Sequence, residues 1–416
     1  MSIDALAWNR PSSPAPSGRA RRYACRKNNI PESNIRVVTP AIHQGGWLLS
    51  FRLTFFLSMV LVLQPLSPAQ ADSRSAQAEA PVPNDPLELV TGAAEPVQNA
   101  DQRLAAVNLL KSARSLSNVR GQPYDLKTTF SASGSPSSDG VWNLEDVSPS
   151  AGVYRWTAQS PSFSVINLFT GGLLYSSRPS GGIPLRLAQV RAAIFFNDPW
   201  IGPRASVRTA NGTLNGADLN CFLIAHMAGT RIPAGGRRWE ESEYCVDARS
   251  GLLTTWSPAP GVYVLYDYST VRNFHGKTIP GGFTITQAGQ TVVEARVESV
   301  TDPAKADPAW FDPSTLSQTG VGSLMTRPWL IRSVAMQAGA NPNVILHAVL
   351  VHGMVTPDGK LTETEIVASS DARLNQSAIR QAARRRSWRS EEEPQPGATP
   401  QAHEVFLLMQ FAVPAS

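Results

Sequence analysis

Histidine and cysteine are scarce in this chain, six and three residues in 416, and no group of them stands at metal-ligand spacing. His347 and His352 come closest, but a separation of five residues on a strand puts two side chains on opposite faces. A glycine-rich phosphate loop, a G-x-S-x-G elbow and an H-E-x-x-H helix are all missing. No reaction and no cofactor can be read from the residues, and the expectation is a protein that is not an enzyme. A basic surface is missing too, despite a formal net charge of +5. Residues 1–71 hold eight of the 37 basic and two of the 32 acidic residues, so the 29 and 30 that remain nearly cancel. Nucleic acid is therefore not an expected partner. Long hydrophobic runs are lacking as well. The run Leu53–Leu63 has eleven residues, against the roughly 20 that span a bilayer as a helix.

That short run reads as the centre of an export signal. Arg52 precedes it, Gln64-Pro65 ends it, and Ala69-Gln70-Ala71 supplies the small-x-small pattern a signal peptidase needs. Residues 45–71 form the expected signal peptide, cleaved near Ala71. An uncleaved anchor in the inner membrane is the alternative. Residues 1–44 are polar and without apolar period, read as a disordered extension or a start assigned too far upstream. Residues 72–99, rich in Ala and Pro, read as a linker. Cys221 and Cys245 are the cysteines that remain after the signal. An oxidising compartment would let them form a disulfide, and two buried thiols are the other reading.

From residue 100 the pattern turns globular. DQRLAAVNLLKSARSL predicts an amphipathic helix, with Ala106, Leu109 or Leu110, Ala113 and Leu116 at helical spacing. Short runs rich in Val, Tyr, Trp, Phe and Thr follow, separated by Gly, Pro, Ser and Asn, and predict an antiparallel sheet or open barrel. IPLRLAQVRAAIFF interrupts them as a helix, with Leu185, Leu187, Val190 and Ile194 on one side. The stretch GVYRWTAQSPSFSVINLFTGGLLYSSRP, this helix and YCVDARSGLLTTWS together resemble the LolA/LolB-type half-barrel superfamily of envelope proteins. Arg155, Gly171-Gly172-Leu173-Leu174-Tyr175 and the Asp247 to Leu252 turn occupy the places of the family's motifs. The resemblance implies a curved antiparallel sheet whose concave face accepts a lipid, an acyl chain or an apolar peptide. The same aromatic residues also describe an ordinary filled core. Pro303, Pro308 and Pro313 discourage helix and inner strand, which places the end of this domain, residues 100–313, at a linker over 314–324.

The last segment, 325–416, has a different grammar. VILHAVLVHGMV is apolar on both faces and reads as an inner strand, Asp358-Gly359 as a hairpin turn, and LTETEIVASS as the second strand. Alternation puts Glu363 and Glu365 on one face and Thr362, Thr364, Ile366 and Ala368 on the other. Ser370 or Asp371 can cap the helix LNQSAIRQAARRRSW. Arg384, Arg385, Arg386 and Arg389 crowd its end, either as a solvated terminus or as a surface for phospholipid headgroups or an acidic partner. Val405, Leu407, Met409 and Phe411 share one face of a final strand, which stands at a sheet edge and is the candidate partner-pairing strand. The order and spacing of these elements resemble the C-terminal domain of the TonB energy-transducer family. That resemblance implies a periplasmic module that takes an extended peptide from an outer-membrane receptor by β-strand addition.

The expected fold class is therefore α+β: an antiparallel half-barrel sheet with packed helices, then a small ββαβ module. The expected setting is the periplasm. The expected role is binding an outer-membrane or envelope partner, with transport of lipid or lipoprotein acyl chains as the alternative.

Overall fold

The computed structural model describes residues 94–179, 183–195, 201, 205–225, 237, 239, 241–303, 307–321, 344–384 and 402–414. The expected signal with its cleavage site at Ala71, and Arg385, Arg386 and Arg389, lie outside the described residues. No helix among the described residues is long and apolar enough to cross a membrane.

The strands are β1 (Glu95–Pro96), β2 (Tyr124–Ala132), β3 (Gly140–Ser150), β4 (Val153–Gln159), β5 (Ser164–Thr170), β6 (Leu173–Ser176), β7 (Ser206–Leu214), β8 (Ala217–Ala225), β9 (Ser242–Asp247), β10 (Leu253–Ala259), β11 (Val262–Phe274), β12 (Lys277–Gln287), β13 (Gln290–Thr301), β14 (Ser317–Val321), β15 (Val344–Val355), β16 (Leu361–Ser369) and β17 (His403–Pro414). Among the described residues three α-helices join them: α1 (Ala100–Ser117), α2 (Leu185–Phe195) and α3 (Asn375–Ala383). The first fourteen strands form one antiparallel sheet in the order β1-β7-β8-β9-β10-β11-β12-β13-β2-β3-β4-β5-β6-β14. The sheet is open, with β1 and β14 at its two ends, as the half-barrel expectation requires. The last three strands form a separate antiparallel sheet, β16-β15-β17, with the apolar strand β15 in the middle.

Alternation along the strands sets the two faces of the large sheet. In β2 Leu126, Thr128 and Phe130 are buried while Lys127 and Thr129 point outward; in β4 Trp156 and Ala158 are buried between Arg155, Thr157 and Gln159. Helix α1 lies on the inner face. Asn99 Oδ1 accepts from the backbone N–H groups of Asp101 and Gln102 at 2.7 and 3.4 Å, and Ala106, Leu110 and Ala113 are buried. Helix α2 departs from its sequence reading. It is enclosed nearly all round rather than on one side, so Arg186, Gln189 and Arg191 are buried along with Leu185, Leu187 and Val190. Each buried charge on it finds a partner. Arg191 donates to Asp146 at 2.8 Å and lies 3.9 Å from the centre of the Trp156 ring, and Tyr124 donates to the same carboxylate at 2.8 Å.

Two prolines read as helix breakers turn out to start 3-10 turns, Pro308–Phe311 and Pro313–Thr315, each capped by the preceding Asp. A proline at the first helical position loses nothing, because its missing N–H has no intrahelical partner there. Beyond them Ser317–Val321, within the stretch read as linker, pairs with β6.

In the small sheet β16 does not keep simple alternation. Its register against β15 shifts between Leu350 and Val351 and again between His352 and Met354, and Glu363 has a left-handed φ of 51°. The first bulge splits Ile366 from Ala368, which the period-two reading placed together. Ile366 faces α3, while Val367 and Ala368 both face the large sheet. Helix α3 presses Ala378 and Ala382 onto Val349, Val351 and Leu407. Asp371 caps the short 3-10 turn Ala372–Leu374 ahead of α3 rather than α3 itself.

Candidate functional site

Strands β2, β10 and β12 run in one direction, so their ends, Ala132, Ala259 and Gln287, share one rim of the half-barrel. The small sheet sits on that rim. Its backbone touches the large sheet through Ser369, whose N–H donates to the Pro260 carbonyl at 2.9 Å in the turn between β10 and β11. Gly261 makes the approach possible: its φ is +79°, and a Cβ there would stand 3.2 Å from the Ser369 carbonyl oxygen. Side chains do the rest. Ala348, Leu350, Val367, Ala368 and Leu408 join Phe130, Trp142, Leu144 and Trp156 in one buried apolar cluster. Full burial of each larger side chain contributes about 1.5–3 kcal/mol.

Four ionisable residues meet at this contact. Arg186, with a side chain 0% exposed, pairs with Glu365 of β16 through Nη2 and also donates to Gln189, Gln287 and the Ser133 carbonyl. His352 of β15, equally buried, has Nδ1 2.9 Å from Glu365 and Nε2 3.7 Å from Glu404 of β17. The second distance is an ion-pair separation, longer than a hydrogen bond. Burial pushes the Arg186 guanidinium down from its ordinary value, and Glu365 pulls it back. Burial also works against a charged His352, but the two carboxylates outweigh it and hold the imidazole up at about 9. Two cations therefore meet two carboxylates, and the contact is close to neutral. Sequence reading missed this group. The visible signal was a single polar residue in apolar surroundings, His352 in an inner strand; Arg186 stood in a helix read as buried on one side only.

The residues singled out from sequence fall elsewhere. Leu407, Met409 and Phe411 pack toward α3 and hold β17 in place. What β17 offers is its outer backbone edge: among the described residues its twelve positions pair only with β15. Arg384 is exposed at the end of α3. Cys221 and Cys245 are opposed on β8 and β9 and joined by a disulfide, with a Cα–Cα distance of 4.1 Å. Glu243 lies beside them, but sulfurs bonded to each other offer a metal no thiolate.

No family model matches the sequence, and no curated protein does either. Solved structures with a comparable arrangement include a LolA superfamily protein from Nitrosomonas europaea, at 11% identity and a TM-score of 0.34, over 50% of this chain and 97% of that one. A DUF1329 family protein from Desulfovibrio piger gives 9% and 0.35 over 51% and 98%. A putative outer membrane lipoprotein-sorting protein domain from Vibrio parahaemolyticus gives 7% and 0.32 over 50% and 96%. Scores this low leave the architecture to be read from the strand order itself.

Proposed function

We propose that this chain is an exported, non-enzymatic envelope protein that carries an apolar chain, of the lipid or lipoprotein-acyl class, on the inner face of its half-barrel. One observation carries the reading. The rim of the half-barrel is closed by a separate small sheet that packs against it through side chains, with the Ser369–Pro260 bond the one backbone hydrogen bond between them among the described residues. Phe130, Trp142 and Trp156 on that face are buried in one cluster with α1, α2 and the small sheet, so a hydrocarbon chain would replace apolar contacts that the cover makes, and a cover held by side chains can leave without unravelling either sheet. Removing Arg186 loosens the cover. The test is native mass spectrometry and uptake of a fluorescent long-chain fatty acid by the full chain. Wild-type protein is expected to take up one acyl chain, and Arg186→Ala to take it up faster. If neither folded protein binds, the reading fails.

A second reading has its own support in the long edge of β17: addition of a strand from an outer-membrane receptor or other envelope partner, in the manner of a TonB C-terminal domain. An extended receptor peptide would then slow amide exchange along β17. Unchanged exchange at saturating peptide counts against it.

A further inference from the structure

The outer face of the half-barrel bears a groove of about 620 Å³. Its floor is a ladder of paired side chains on β3 and β4. Asn143 stands opposite Gln159, then Glu145 opposite Thr157, then Val147 opposite Arg155. The end at Arg155 is closed, because Val147 and its counterpart Leu168 on β5 are 2% and 0% exposed on this face. The 3-10 turn Pro308–Phe311 brings Trp310 over that end. The indole is 41% exposed, with the Arg155 guanidinium 5.1 Å from its ring centre. Among the described residues the Arg155 side chain makes no hydrogen bond or ion pair, and burial lowers its pKa.

We propose that this groove binds a neutral oligosaccharide. A sugar presents hydroxyls that both donate and accept, edge-on, together with a C–H-rich face. Amide side chains such as Asn143 and Gln159 answer the first, and the half-exposed Trp310 ring the second. The charges exclude an anion as the better fit. Lys127 is paired with Glu145 at 3.2 Å and Glu298 accepts from Thr129 at 2.6 Å, so two carboxylates line the groove beside two cations. From Arg155 to Gln159 the ladder runs about 13 Å at ~3.3 Å per residue, on a rigid sheet that needs no ordering on binding.

Calorimetric titration and saturation-transfer NMR of the full chain with chitohexaose and with cellohexaose test this, with inorganic phosphate as the contrast. Binding of either hexasaccharide and not of phosphate is expected. Trp310→Ala should weaken it at least tenfold. The double variant Asn143→Ala with Gln159→Ala, both at exposed positions, should weaken it several-fold and keeps the test valid if the tryptophan variant misfolds. Silence with both sugars at millimolar concentration, undiminished binding by the double variant, or binding of phosphate instead would each overturn the assignment.

Discussion

His352 is buried to 0% on its side chain yet carries a proton at neutral pH, because Glu365 and Glu404 approach it from the strands on either side. Its pKa in the folded chain is about 9, against an ordinary 6.5. A group whose folded pKa is raised contributes stability that is complete below its unfolded pKa and vanishes as pH climbs through the folded one. The contribution is on the order of 3 kcal/mol. Urea melts are therefore expected to show stability falling between pH 6.5 and 9, and His352→Gln to flatten that slope. Arg186 makes the companion case. Replacing it with Met leaves Glu365 buried without its guanidinium and should cost about 3–5 kcal/mol. Arg186→Met combined with Glu365→Leu should recover part of that loss in melts above pH 9, where His352 is neutral and no longer depends on the Glu365 carboxylate. A double variant as weak as the single one would show that packing, not pairing, sets the cost. Single polar residues in apolar strands were visible in the sequence. That Arg186 and Glu365, 179 positions apart, meet was not, because side-chain periodicity says which face a residue occupies and nothing about which element arrives there.

At the level of elements, the turn between β10 and β11 fastens the small sheet to the large one. Gly261→Ala would force a side chain into a left-handed φ and against the Ser369 backbone. Amide exchange should then speed up at the end of β16 while β10 and β11 stay protected. The β8–β9 disulfide spans 24 positions, and closing such a loop stabilises by about 3.5 kcal/mol in the chain-entropy account. Reduction, or Cys221→Ser with Cys245→Ser, should lower the urea midpoint accordingly. The strand-rich middle, both long helices of the half-barrel and the order of elements in the small sheet were legible, since each rests on local periodicity and turn residues. The bulges in β16 and the pairing of β14 with β6 were not. A bulge adds one residue without changing composition, and β14 earns its strand geometry from a neighbour far along the chain.

For the molecule as a whole, the decisive fact is that one apolar cluster contains residues of both sheets, from Phe130 and Trp156 to Leu350 and Leu408. Calorimetry should give a single cooperative transition for the full chain, and two resolved transitions would mean the sheets melt apart. The fastening between them has a consequence for anyone trying to watch it undo. Each sheet keeps its own ladder of backbone bonds, so departure of the cover would leave circular dichroism and nearly every protected amide as they were. Only a ruler stretched between the two bodies, such as a pair of spin labels or fluorophores on α1 and α3, would register the event.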